Sequence, residues 1–321
     1  MALKAAIRTM VLEAGFVRAR ILSPFEPVID PHAPIPPSYR TGAPSLLMAA
    51  LPYGNLHDRA PPWEGGAFIA PFARRNYYRE GVRRLQKLGS VFRARYGGKK
   101  SDFRILCNSP VPEKPLARTA GLGVLGRNGL IITPEAGSLV IIAAMTLPFP
   151  LEPDRAEPEP NNPFPWCGHC DPVEPPCVAA CPTGAVRGDG SLDRTRCIQW
   201  YASGHESAVP REIARNWGRR LYGCTDCQDA CRYNQVPIRG VSSDEGPLPA
   251  YLDPVALGTL RDEELKARFK GTALGLSWLG PEGIRRNARL AAQSLPAGKS
   301  LPGGFSGLSG VSLLFAYTSG Y

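Results

Sequence analysis

The sequence predicts an α/β N-terminal domain with a mixed sheet, followed by a small cysteine-rich module and a short helical C-terminal segment. Apolar runs of strand length alternate with helical stretches before residue 150, an order typical of α/β domains. Eight of the nine cysteines lie between Cys167 and Cys231, which marks a separate module. Residues 262–269 and 281–292 have helical spacing, and a proline opens the second of these helices.

Two helices and four strands are predicted within the first 150 residues. Residues 4–15 carry apolar side chains at helical spacing and end at a glycine, and residues 76–96 form a basic amphipathic helix. The predicted strands are short apolar runs, at 45–53, 103–107, 129–133 and 138–147. The last two flank a four-residue turn and are therefore predicted to pair as a hairpin.

Shifts in composition divide the chain into its expected domains. The N-terminal domain, residues 1–150, ends where the proline-rich stretch 151–165 predicts a linker. The cysteine module follows at 166–240, and the helical C-terminal segment at 241–293. Residues 294–321 are rich in glycine, serine and leucine without periodicity, which predicts a poorly ordered tail.

Composition and charge restrict the class of protein. Hydrophobic residues make up 43% of the chain, which is enough to bury a core. The longest apolar run is far too short to span a membrane, and residues 1–20 lack the apolar region of a secretory signal. We therefore expect a cytoplasmic protein with no membrane partner. The formal charge of +10 makes nucleic acid a candidate partner without deciding it, since basic residues also balance an anionic cofactor.

The spacing of the eight clustered cysteines points to iron–sulfur chemistry. The pattern is Cys167-x2-Cys170-x6-Cys177-x3-Cys181-Pro182, then Cys197, then Cys224-x2-Cys227-x3-Cys231. Secreted disulfide frameworks are short chains with an export signal, and this chain has neither feature. Two Cys-x2-Cys pairs of a zinc ribbon supply four ligands, whereas eight are present here. In bacterial ferredoxins three nearby thiolates bind one cluster, while a fourth, followed by proline, binds the other.

Applied to this chain, the ferredoxin pattern predicts a ferredoxin-like module with two 4Fe–4S clusters, each held by four thiolates. The predicted ligands of cluster 1 are Cys167, Cys170, Cys177 and Cys231. The predicted ligands of cluster 2 are Cys181, Cys197, Cys224 and Cys227. Six residues separate Cys170 from Cys177, where the bacterial pattern has two, and we expect this proline-rich insertion to loop out without disturbing ligation.

Further motifs surround the cysteine module, in the order Leu51–Tyr53, Phe72–Tyr78, Thr119–Asn128, Gly137-Ser138 and Arg285–Arg289. Together with the cysteines they resemble the epoxyqueuosine reductase family, the corrinoid and iron–sulfur enzymes of queuosine biosynthesis, from about residue 4 to residue 293. The resemblance implies a corrinoid-binding α/β domain stacked on the ferredoxin-like module, and a cobalamin that is reduced through the clusters and acts on the substrate. The family's Gly-Lys-Asn corresponds to Gly126-Arg127-Asn128, so these are the implied corrinoid-binding residues.

The chain departs from the family at positions that would face the substrate. The family's acidic proton donor lies in an Asp-x-x-Pro stretch, which here is Cys107-Asn-Ser-Pro110. Cys107 is therefore the candidate catalytic acid; the alternatives are a small buried side chain or a ligand of cobalt or iron. The family's Asp-Tyr-His becomes Asn76-Tyr-Tyr78, and the C-terminal helical repeats with which many members bind tRNA are not evident.

The first functional hypothesis is an iron–sulfur oxidoreductase of the epoxyqueuosine reductase type. Electrons from a donor of the reduced ferredoxin or flavodoxin type would pass through two clusters to a corrinoid, with epoxyqueuosine in tRNA as the candidate substrate. The first alternative is a non-catalytic ferredoxin-like electron-transfer protein, and the second is a zinc-stabilised nucleic-acid-binding module. The sequence thus leaves open whether the chain is an enzyme, and it predicts no oligomeric state.

Overall fold

Strands and helices alternate through most of the computed structural model, which describes residues 2–23, 42–54, 64–154, 167, 170–204, 206–235 and 246–295. Most of the predicted linker, from residue 155, and the predicted tail from residue 296 lie outside the described residues. Among the described residues, none of the helices has the length and apolar character needed to cross a membrane.

The strands and helices are numbered in chain order. The strands are β1 (Arg18–Leu22), β2 (Ser45–Pro52), β3 (Ala67–Ile69), β4 (Ile105–Leu106), β5 (Val124–Leu125), β6 (Ile131–Ile132), β7 (Val140–Leu147), β8 (Arg220–Tyr222) and β9 (Tyr251–Leu252). The helices are α1 (Ala2–Glu13), α2 (Tyr77–Tyr96), α3 (Glu113–Thr119), α4 (Pro176–Ala179), α5 (Ile198–Ala202), α6 (Arg211–Arg215), α7 (Asp226–Asp229), α8 (Pro254–Thr259), α9 (Asp262–Phe269) and α10 (Gly280–Ala292). The helices predicted at 4–15, 76–96, 262–269 and 281–292 correspond to α1, α2, α9 and α10.

The main sheet has the strand order β1-β2-β7-β4, and all of its neighbouring strands are antiparallel. The prediction of a mixed sheet in this domain was therefore wrong. Strands β2 and β4 run in the same direction and are joined through α2, as in a parallel unit. Because β7 inserts between them and pairs with both, no parallel neighbours remain. The sheet that does contain both orientations is the three-stranded one, β8-β3-β9.

The hairpin predicted around residues 134–137 was also wrong in its pairing. The turn forms, with Thr133 and Gly137 exchanging two backbone hydrogen bonds of 2.7 and 2.9 Å. The strands on either side then separate, since β6 pairs with β5 whereas β7 pairs with β2 and β4. Gly137 has a φ of 54°, a left-handed backbone conformation that favours glycine and turns the chain away from β6.

Both faces of β2 are buried, which explains why its sequence is a continuous apolar run. Leu47 and Leu51 pack with side chains of α1 and α2 on one face of the sheet. Leu46 and Met48 pack with Leu116 of α3 on the other face. The main sheet therefore lies between a layer formed by α1 and α2 and a layer that contains α3.

The second core joins the two halves of the chain. Strand β3, which lies within the predicted N-terminal domain, pairs with β8 in parallel and with β9 antiparallel. Its buried residues Ala67 and Ile69 pack with Trp217 and with apolar side chains of α8, α9 and α10. A division of the chain at residue 150 thus separates residues that share one core.

Asp154, in the segment that follows β7, binds side chains of α1 and the backbone of β1. Its carboxylate lies 2.7 Å from Lys4 Nζ and 2.5 Å from Arg8 Nη2, and it accepts a 2.8 Å hydrogen bond from the Ile21 backbone N–H. Burial raises the pKa of Asp154, but the hydrogen bonds from Lys4 and Ile21 and the charge of Arg8 outweigh burial, so the net pKa is lowered.

We expect Asp154→Asn to lower the free energy of unfolding by about 1–3 kcal/mol at pH 7, because charged hydrogen bonds are lost. A lowered folded-state pKa stabilises the fold above the unfolded value of about 3.9, and this stabilisation is lost as the pH falls through the folded-state pKa. Urea unfolding of both forms should therefore show a gap at neutral pH that closes in acid. A gap that is unchanged in acid would contradict this account.

Candidate functional site

The four cysteines predicted to bind cluster 1 line one small cavity, together with Arg127 and Tyr233. Burial, with smaller contributions from the nearby thiols of Cys167 and Cys231, raises the pKa of Cys177 to about 11. Burial likewise raises the pKa of Cys231, with Cys167 and Cys170 adding to the effect. The structure thus brings Cys167, Cys170, Cys177 and Cys231 together.

The four cysteines predicted to bind cluster 2 line a second cavity, of about 400 Å³. Burial raises the pKa of Cys224 to about 12, and it raises the pKa of Cys227, where the thiols of Cys224, Cys197 and Cys181 add to the shift. Cys181 differs, because hydrogen bonds from the backbone N–H groups after it outweigh burial and lower its pKa. One of these, from Ala185 N to Cys181 Sγ, measures 3.2 Å. N–H groups directed at sulfur are among the features that set cluster potentials.

Two short helices explain how the spacing produces these two groups. Helix α4 carries Cys177 and is followed by Cys181, and helix α7 carries Cys227 and is followed by Cys231. The two helices pack against each other. Cys177 and Cys231 line the smaller cavity, and Cys181 and Cys227 line the larger one. Each helix therefore runs from one cysteine group to the other, and the two helices do so in opposite directions.

A buried polar network connects α7 to the main sheet. Gln228 Nε2 donates to Tyr53 Oη at 2.7 Å and to the Ser138 carbonyl at 3.0 Å. Asn234 Oδ1 accepts from the Ser138 N–H at 2.7 Å, and Asn234 Nδ2 donates to the Gln228 carbonyl at 2.8 Å. Gln228 and Asn234 flank Cys231, so this network positions the cysteines of α7 and the residues after it relative to the sheet.

The larger cavity is shared between the cysteine module and the sheet domain, which comprises the main sheet and helices α1, α2 and α3. Its sheet-domain lining includes Tyr78 from α2, Glu113 from α3 and Ile141 from β7. Burial raises the pKa of Tyr78, and the charges of Cys107 and Glu113 add to this. A third cavity, of about 170 Å³, shares Tyr78 and Ile141 with the larger cavity and continues toward Trp278. The second cysteine group therefore faces a cavity with both apolar and titratable walls.

The three predicted corrinoid-binding residues lie in the loop between β5 and β6, but they do not share one role. Asn128 lines the larger cavity, and its Nδ2 donates to the Cys227 carbonyl at 3.4 Å. Arg127 lines the smaller cavity, where its backbone N–H opposes the rise that burial causes in the pKa of Cys167. Gly126 packs on Ile132, since an added Cβ would lie 2.6 Å from that side chain.

Cys107 lies directly after β4, between α2 and β7. Its Sγ is 3.8 Å from the Tyr78 carbonyl oxygen and 3.6 Å from that of Ile142. Burial, with a smaller contribution from the charge of Glu113, raises the pKa of the thiol to about 12. The side chain also packs in the core beneath α2 and lines a groove of about 810 Å³ along that helix. These contacts suit a small buried side chain, and the role of Cys107 as an acid stays a prediction.

Of the substituted positions near α2, Asn76 has a structural role. Its Oδ1 accepts a 2.9 Å hydrogen bond from the Arg79 N–H and caps the helix. Glu113 lines the larger cavity but is not marked by any sequence motif. An acidic residue in the first turn of a helix is common for helix stability alone, so its sequence context gave no distinct signal.

Comparisons with known proteins agree with this geometry. Residues 166–234 match a family model described as a 4Fe-4S double cluster binding domain. Epoxyqueuosine reductase of Escherichia coli (strain K12) is 35% identical over 230 residues, which cover 69% of this chain and 56% of that protein. The enzyme of Vibrio cholerae is 35% identical over 180 residues, 56% of this chain and 46% of that protein. A structure of epoxyqueuosine reductase with an epoxyqueuosine-modified tRNA-Tyr stem loop has a TM-score of 0.75 at 25% identity, covering 92% of this chain and 82% of that one.

The resemblance to the epoxyqueuosine reductase family is confirmed. The prediction of an α/β protein with a double 4Fe–4S cluster module is also confirmed. The chain spans about half the length of the curated epoxyqueuosine reductases that it matches. The zinc-stabilised alternative is not favoured, because the matched family model is a double-cluster domain over the same eight cysteines.

Proposed function

We propose that this chain is a corrinoid-dependent iron–sulfur reductase of the epoxyqueuosine reductase type. The observation that carries the proposal is the shared wall of the larger cavity, where Cys181, Cys197 and Cys227 face Tyr78 and Glu113 of the sheet domain. A redox centre bound by these cysteines would lie directly beside a cavity lined by proton-bearing groups. A ferredoxin-like electron-transfer protein has no need of such a space, so this feature favours an enzyme.

The residues present fit two 4Fe–4S clusters as resident cofactors. Thiolates are the preferred ligands of iron–sulfur clusters, and each cluster needs four of them. The described cysteines other than Cys107 divide into two groups of four around separate cavities. We propose the two groups as the two ligand sets, with the smaller cavity holding cluster 1 and the larger cavity bordering cluster 2.

The lining of the larger cavity fits part of a corrinoid. Apolar side chains of β7, including Ile141 and Ile142, would pack on the ring, and the polar groups of Asn128 and Ser138 suit its amide periphery. A corrinoid supplies a strongly reducing cobalt centre when it is bound. The protein's own groups would exclude water, orient the substrate and deliver protons there.

The proposed substrate is epoxyqueuosine in tRNA. Support comes from the related structure, whose bound molecule is an epoxyqueuosine-modified tRNA stem loop. The net charge of +10 suits a phosphate backbone, and Arg79, Arg83 and Arg93 expose basic groups along α2. A reduced ferredoxin or flavodoxin is the proposed class of electron donor.

The test is cobalamin binding and turnover by the anaerobically reconstituted protein. We expect a brown protein that binds cobalamin and converts an epoxyqueuosine-modified stem loop to queuosine in the presence of a low-potential reductant. Ile141→Trp should weaken cobalamin binding by at least about tenfold, because the larger ring fills the cavity beside β7. Val91→Trp, at an exposed position of α2, is the matched control and should bind normally.

The outcomes separate the hypotheses. A brown protein that does not bind cobalamin would favour the electron-transfer protein, and a colourless zinc protein would contradict both iron–sulfur hypotheses. Equal cobalamin binding by the Ile141 and Val91 variants would mean that the cofactor binds outside this cavity.

A further inference from the structure

Glu113 places a carboxyl group in the cavity that the second cysteine group borders. It is the first residue of α3, it is half-buried, and it lines the larger cavity together with Cys181, Cys197 and Cys227. Carboxyl groups in partly apolar sites retain their protons to higher pH than exposed ones. A group in this position can reach a substrate that occupies the cavity.

Ser109 holds the carboxyl in a fixed orientation. Its backbone N–H and its hydroxyl both donate to Glu113 Oε1, at 2.8 and 2.9 Å. The preceding residue, Asn108, has a φ of 51°, and it is the only non-glycine residue with positive φ in the described part of the chain. Asparagine is one of the few non-glycine residues that adopt this left-handed conformation readily. The turn at Asn108 thus brings Ser109 within hydrogen-bonding distance of Glu113.

The neighbouring titratable groups favour Glu113 as the proton donor. Burial raises the pKa of Glu113 above its usual value despite the hydrogen bonds from Ser109. The charge of Glu113 adds to the raised pKa values of Tyr78 and Cys107, so both of these stay protonated when Glu113 ionises. Burial lowers the pKa of Lys114, the other charged side chain on this wall of the cavity, and its Nζ donates to the Gly129 carbonyl at 2.8 Å. General acid catalysis is most efficient when the pKa lies near the working pH, which disfavours the buried thiol of Cys107. Cys107 also lines the groove along α2 and not the larger cavity.

We propose that Glu113, and not Cys107, is the acid that protonates the leaving oxygen of the substrate. The inference rests on the proposed function. In this step a carbon–oxygen bond of the bound epoxide breaks and its oxygen takes the proton of the Glu113 carboxyl, which is then reprotonated from solvent. Two electrons from a ferredoxin- or flavodoxin-type donor and a second proton from solvent complete the conversion to an alkene and water.

Glu113→Gln removes the acidic proton while preserving the contact with Ser109, because the amide oxygen can still accept hydrogen bonds from the Ser109 N–H and hydroxyl. We expect turnover of the modified stem loop to fall by about 10²–10⁴-fold, with iron content and cobalamin binding unchanged. Cys107→Ala should cost far less. Glu263→Gln, an exposed acid on α9, is the matched control and should leave turnover unchanged.

An infrared measurement provides a readout that is independent of turnover. The spectrum of the native protein minus that of Glu113→Gln should contain a protonated carboxyl band that persists above about pH 4.3, the usual pKa of glutamate. Absence of this band would overturn the proposal, as would a larger loss of turnover in Cys107→Ala than in Glu113→Gln. If the native protein lacks turnover altogether, the proposed function fails, and the infrared band alone decides whether Glu113 holds a proton.

Discussion

Replacing Gly137 by alanine is expected to lower the free energy of unfolding by about 2–5 kcal/mol. Gly137 combines a φ of 54° with close contacts, since an added Cβ would lie 2.1 Å from Asn234 Oδ1 and 2.6 Å from the Tyr233 carbonyl oxygen. The substitution therefore adds backbone strain and displaces Asn234 from its hydrogen bonds to Ser138. Denaturant unfolding of the native and variant proteins measures the effect.

Gly97→Ala is the matched control for this prediction. Gly97 follows α2 with a φ of 87°, and an added Cβ there meets nothing within 4 Å. Its variant should show only the backbone cost, about 1–3 kcal/mol, without the added loss from displaced neighbours. If the two variants lose the same stability, the contact between Gly137 and Asn234 contributes nothing, and the importance of the buried network is contradicted.

Cys231→Ser and Cys227→Ser are expected to remove different clusters. The native protein should contain about eight irons per chain, and each variant about four, since each loses one ligand from a set of four. Electron paramagnetic resonance of the reduced proteins should show one signal missing in each variant, and the missing signals should be different. Cys107→Ser is the control and should retain both signals.

Two results would contradict the assignment of ligands. Loss of the same signal in both variants would mean that Cys227 and Cys231 bind one cluster. A native protein with about four irons, or with zinc in their place, would contradict the presence of two clusters. Both variants are needed because Cys227 and Cys231 are only four residues apart. A general disturbance of α7 would affect both clusters equally, whereas loss of a single ligand should affect only one.

Local patterns predicted the elements whose formation depends on their own residues. Helices α1, α2, α9 and α10 were predicted because each buries one stripe of apolar side chains at helical spacing. Strand β2 was predicted because both of its faces are buried. The division of eight cysteines into two groups of four was predicted from the ferredoxin spacing, and the structure brings together the same residues.

Features that depend on distant pairing were not predictable in this way. The position of β7 between β2 and β4, which makes the sheet antiparallel, leaves no trace in the sequence of any one strand. The same holds for β3, which pairs with strands more than a hundred residues away. Glu113 became a candidate only because folding places the start of α3 against the cysteine module. Its neighbours in sequence give no sign of that cavity.

The opposite directions of α4 and α7 have a consequence for how the protein is made. With the proposed ligands, each cluster needs at least one thiolate from the region of α7, so neither set of four is complete on the ribosome before residues 224–231 have emerged. Metal binding stabilises the folded state only once the whole set of ligands is present. Cluster insertion is therefore expected late in synthesis. A chain truncated before residue 224 would carry five of the eight thiols and complete neither set.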